Sequence, residues 1–97
     1  MTRKPIKEPS MALYEQIVAL QDVDSCYRFF QDLCSISELR SIEQRFDVAK
    51  LLYEGKVYTE IVDETGASSA TISRVNRALR YGEDGIMDAL DKKDQKS

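Results

Sequence analysis

At 97 residues the chain fits one domain, large enough for a core yet small enough that a second chain would help to bury apolar surface. Its 42% apolar and 32% charged residues, with few Gly and Pro, describe a globular and mostly helical protein. A formal net charge of −3 excludes a bulk-basic nucleic-acid binder, so any such contact must rest on a local patch.

No apolar run is long enough to span a bilayer, and the N-terminus lacks the apolar stretch of a secretory signal. A cytoplasmic protein that meets no membrane is expected. Residues 1–10 carry Arg3, Lys4, Lys7 and both prolines, and are predicted to form a flexible basic tail. Residues 11–92 should form a single helical domain. Leu13, Ile17 and Leu20 have helical spacing and predict a helix over Met11–Gln21. Asp22 or Asp24 offers a cap for a second helix, Ser25 to about Cys34. Cys26, Tyr27, Phe29, Phe30 and Leu33 make that helix apolar on more than one face, so it needs cover from several directions, a partner chain among them. Cys26 and Cys34 are the only cysteines and there is no His, so no zinc site is expected. Both thiols read as buried, reduced, small apolar residues.

Ser35-Ile36-Ser37-Glu38 has the form of a capping box and opens a long helix from Ile36 to about Glu54. Leu39, Ile42, Phe46, Ala49 and Tyr53 stripe its inner face, widened by Val48, Leu51 and Leu52, and Gly55 ends it in a left-handed conformation. A short helix over Tyr58–Thr65 follows, with Ile61 and Val62 inward and a poor cap in Val57. Gly66 ends this helix and starts a turn. Ser68 then caps a helix that closes near Tyr81-Gly82. A last helix runs from Asp84 to about Lys92, with Ile86, Met87 and Leu90 on one side, before a polar, frayed tail at 93–97.

The segment 58–81 thus has the layout of a helix-turn-helix. Its second helix divides into two faces. Ile72, Val75 and Leu79 fall together, while Ala70, Ser73, Arg74, Arg77 and Arg80 fall opposite, and no acid occurs between Gly66 and Gly82. In a recognition helix, Ser69, Ala70 and Ser73 would lie nearest the base edges. Ala70 can meet a thymine methyl, and Ser73 can bond almost any base edge. Arg74, Arg77 and Arg80 are candidates for phosphate or guanine. Ser68 and Thr71 can reach backbone phosphates where the helix dipole favours anions. Arg80 equally suits a charge that answers the dipole at the helix C-terminus.

From Ser35 to about Lys92 the chain resembles the Trp repressor family, most closely its smaller YerC/YecD-like branch. The shared features are Ser35 and Glu38 at the head of the long helix, then Arg45, Leu51-Leu52 and Gly55. Glu64-Thr65-Gly66-Ala67 and Ala70-Thr71-Ile72-Ser73-Arg74 complete them. The resemblance implies an all-α, six-helix fold and an intertwined homodimer whose two recognition helices read a palindrome. It also implies an effector pocket, with Arg45 and Arg74 in the positions of two arginines that hold L-tryptophan in the classical member and Ser35 in that of a further pocket residue. Two departures argue against tryptophan. Val75 stands where that member has glycine, and Ala78 where it has a serine that helps to hold the amino group. The link from Gly55 to Gly66 is also one residue shorter.

The expected function is therefore a dimeric, sequence-specific transcription regulator bound to double-stranded DNA, with L-tryptophan or another amino-acid-like corepressor as the only cofactor the resemblance brings in. The alternative is a helical protein–protein interaction module that keeps the shape without using it on DNA; the acidic net charge favours it. No nucleophile with a partner base, Gly-rich phosphate loop or metal constellation points to an enzyme.

Overall fold

The computed structural model describes residues 8–96, and among these the chain forms six α-helices and no strand. The expected basic tail lies mostly outside the described residues, at 1–7. No described helix is long and apolar enough to cross a membrane. The chain divides into two compact units, Met1–Ile36 and Ser37–Ser97.

The first unit holds α1 (Met11–Ala19) and α2 (Val23–Leu33). α1 ends two residues before the expected Gln21, and α2 begins two residues before Ser25. The cap explains the earlier start of α2. Asp22 accepts the backbone N–H of Ser25 at 2.7 Å and its hydroxyl at 3.1 Å, so the helix begins directly after Asp22. Phe29 and Phe30 meet edge to face at 5.5 Å between ring centroids. Neither helix has a buried residue, and Met11, Tyr14, Val18, Val23 and Leu33 are exposed. Cys26 and Cys34 are free thiols, as expected, but half-buried rather than buried, because the two short helices of this unit cover them only in part.

The second unit is built on α3 (Ile36–Tyr53), α4 (Tyr58–Thr65), α5 (Ser69–Tyr81) and α6 (Gly85–Lys96). α3 stops at Gly55, whose φ is 86°. Gly55 N–H donates to the Leu52 carbonyl and Lys56 N–H to that of Leu51, both at 3.0 Å, which satisfies carbonyls the helix would otherwise leave open. Val48, Ala49, Ile61, Ala67, Ile72 and Val75 form the core, with Leu51, Leu52 and Ile86 packed against it. Three expectations need correction here. Val62 is 39% exposed, because in an eight-residue helix Ile61 alone takes the inward direction. Ile42 and Phe46 are 43% and 48% exposed, because the apolar face of α3 is wider than the elements that cover it. α6 runs on to Lys96, so most of the expected frayed tail is helical.

A long-range contact accounts for that last extension. The Tyr53 hydroxyl lies 2.6 Å from Asp91 and 3.0 Å from Asp94, so two turns of α6 are tied to the end of α3. The bond to Asp91, partial burial and Asp94 together hold the phenol far above the usual tyrosine range. The folded chain therefore keeps this proton at a pH where the unfolded chain begins to lose it. The stabilisation is complete below about pH 10, the unfolded value, and is lost as pH rises beyond it. Tyr53→Phe should melt earlier than the parent at neutral pH, with the gap narrowing above about pH 10. A gap that stays constant on thermal scans across that range would count against the tie.

Candidate nucleic-acid interface

The turn between α4 and α5 is wired from both sides. Gly66 takes φ 72°, a left-handed conformation that costs a residue with a Cβ about 1 kcal/mol or more. Thr65 donates its hydroxyl to the Ile61 carbonyl at 2.7 Å and accepts the N–H of Ala67 at 3.1 Å. Gln44 of α3 donates to the Thr65 carbonyl at 3.1 Å. Ala67 drives its methyl into the core, an anchoring role that its place in a turn hides. Val57 gives α4 no side-chain cap, as the sequence predicts.

Ser68 caps α5 by accepting the N–H of Thr71 at 3.1 Å, and its hydroxyl donates to Thr71 Oγ1 at 3.1 Å. These two hydroxyls thus engage each other at the helix start. The N–H groups of Ser69 and Ala70 make no hydrogen bond among the described residues and sit at the positive end of the helix dipole. Ile72, Val75 and Leu79 are buried as predicted, which fixes the rotation of α5. Ser69, Ala70, Ser73, Arg74, Arg77 and Arg80 are all exposed. They lie on one acid-free helix, and the guanidiniums of Arg74 and Arg77 make no hydrogen bond or ion pair among the described residues. Arg80 donates from Nε to Oδ1 of Asn76 at 3.0 Å.

Arg45 and Arg74 line one cavity of about 310 Å³. Its walls are Ile42 and Phe46 of α3, Val75 and Ala78 of α5, and Ile86 of α6. This explains why Ile42 and Phe46 stay uncovered. Val75 is only 4% exposed, so its side chain belongs to the core and also occupies the α5 side of this space. Neither arginine pairs with an acid among the described residues. Glu43, one of the acids within reach along α3, instead accepts two bonds from Arg40 at 2.7 and 2.8 Å. Ser35 precedes α3 and belongs to the first unit, whereas every residue lining the cavity belongs to the second. The apolar walls escaped the sequence reading, because periodicity marks a residue as apolar without showing what covers it. Among the described residues no group of three or more Cys, Asp or Glu is placed to hold a metal ion.

Comparison with known proteins agrees with this geometry. A family model described as Trp repressor protein matches residues 10–94. The uncharacterized protein YerC of Bacillus subtilis (strain 168) is 54% identical over 80 residues, covering 82% of this chain and 77% of that protein. The crystal structure of a TrpR-like protein from Eubacterium eligens ATCC 27750 superposes with a TM-score of 0.80 at 49% identity, covering 84% of each chain. A candidate Trp repressor from Staphylococcus aureus gives a TM-score of 0.81 at 43% identity, over 86% of this chain and 83% of that one. With its six helices, its two-faced α5 and a match that spans nearly its whole length, the chain is a YerC-like member of the Trp repressor family.

Proposed function

We propose that the chain is a DNA-binding transcription regulator that acts as a homodimer, each α5 entering the major groove of one half of a palindromic site. The observation that carries this reading is the exposed face of α5, where Arg74, Arg77 and Arg80 project with no acid on the same helix. The core holds α5 by the opposite face, so this side is left open for a ligand. Ser69, Ala70 and Ser73 are short enough to let the helix approach base edges, and water can fill the remaining space. The free N–H groups of Ser69 and Ala70 suit a phosphate oxygen beside Ser68 and Thr71. The dimer is supported by α1 and α2, which have no fully buried residue and expose Met11, Tyr14, Val18, Val23 and Leu33. The family is one of regulators rather than enzymes.

An effector at the cavity is part of the same proposal. Arg45 and Arg74 offer two guanidiniums, unpaired among the described residues, for an anion. No acid or side-chain amide is among the residues that line the space, so an ammonium group would meet no carboxylate there, only two like-charged guanidiniums. An apolar carboxylate fits these walls better than L-tryptophan does.

Selection of bound sequences from a random duplex pool tests the reading, run alone, with L-tryptophan and with 3-phenylpropionate. The expected product is a palindrome with half-sites about one helical turn apart. Enrichment that 3-phenylpropionate alters and L-tryptophan does not would support the effector assignment. Failure of the chain to retain any duplex at low salt would overturn the DNA reading and favour the protein-interaction alternative.

A further inference from the structure

Asn76 belongs to no role described so far. It is half-buried, on the shoulder of α5 between the buried stripe and the exposed face. Its Oδ1 accepts the Nε–H of Arg80, one turn further on, at 3.0 Å. The bond engages one of the five N–H donors of Arg80 and leaves the outer fork of the guanidinium unoccupied among the described residues. It also sets a direction. Asn76 lies one turn toward the N-terminus, so the Arg80 side chain is laid back along the helix toward Ser73 and Ser69, which share its line on the helix surface. A last-turn arginine that served only the helix dipole would fold forward onto the terminal carbonyls instead. Arg80 is drawn the opposite way, toward the N-terminal end of α5.

We infer that Asn76 is a positioning residue for DNA binding: it holds Arg80 back along α5 as a preset fork for a backbone phosphate. The inference rests on the DNA reading above. Holding a long side chain in place before contact removes part of the ordering cost that binding would otherwise bear. A phosphate contact is indifferent to sequence, so a random-sequence duplex at low salt is a sufficient probe.

The test is a double-mutant cycle with an independent spectroscopic arm. Asn76→Ala should weaken binding by roughly three- to tenfold, the scale of one hydrogen bond's net contribution. In an Arg80→Ala background, Asn76→Ala should add no further loss. The same should hold in an Arg80→Lys background, where the charge remains but no Nε–H exists to be held. In the free protein, the Arg80 Nε–H resonance should exchange slowly with solvent in the parent and quickly in Asn76→Ala. An equal loss in the Arg80→Ala background would overturn the inference, since Asn76 would then act on DNA by itself. No loss from Asn76→Ala in the parent background would also overturn it. If the parent protein retains no duplex, the DNA reading and this inference fall together. A failed cycle with intact parental binding removes only the inference.

Discussion

Replacing Arg77 by alanine lowers the affinity for duplex DNA by roughly five- to a hundredfold and leaves the melting temperature unchanged. The two halves of this expectation have separate causes. Arg77 is exposed and makes no hydrogen bond or ion pair among the described residues, so removing it takes nothing from the folded chain. It shares a line on α5 with Ala70, within a turn of Ser73 and Arg74, so it lies at the centre of the proposed contact face. If its partner is a phosphate, the slope of log affinity against log salt should fall by about 0.9, and Arg77→Lys should retain most of the binding. If its partner is a guanine edge, the lysine variant should bind but lose discrimination at one base pair, since lysine lacks the planar fork. Electrophoretic or anisotropy titrations at several salt concentrations separate the two. Unchanged affinity in Arg77→Ala would remove α5 as the DNA-reading element.

The parts of this fold that could be read in advance are those whose cause lies within a few residues. The cap at Asp22, the uncapped start at Val57, the left-handed Gly55 and Gly66 and the cap at Ser68 each depend on neighbours one to five positions away. The buried stripe of α5 was equally legible, because Ile72, Val75 and Leu79 are its only strongly apolar inner positions. What escaped depends on distant partners. The length of α6 follows from bonds between Tyr53 and residues 38 and 41 positions away. Ala67 gains its place in the core from the fold around it, and its small side chain gives no periodic signal. The cavity assembles from α3, α5 and α6; the family resemblance pointed to Arg45 and Arg74, but not to the apolar walls between them. Ile42 and Phe46 show the same limit from the other side. Their spacing marks an inner face, and whether that face is covered depends on what binds there.

Ile72→Ala should cost about 2–5 kcal/mol of stability, the range for deleting a fully buried isoleucine to its Cβ. The upper part of that range is expected, because Ile72 has 0% exposure and sits in one cluster with Ile61 and Val48, which are equally buried. These neighbours come from α5, α4 and α3. Filling the vacated space would require two packed helices to shift against the third, and the wired turn at Gly66 and Thr65 resists that movement. The void is therefore expected to persist, and with it the cavity term that adds to the lost burial. The same side chain sets the rotation of α5, so the variant should also bind duplex DNA less tightly than its folded fraction alone would explain. Ile72→Val, which removes one methyl group, should cost only about 0.5–1.5 kcal/mol and keep binding near the parent level. Urea unfolding followed by circular dichroism measures both, with protein concentration held fixed because a dimer links stability to concentration. A loss below about 1 kcal/mol in Ile72→Ala would mean that α5 repacks freely, and the rigid presentation of Arg77 and Ser73 would have to be abandoned.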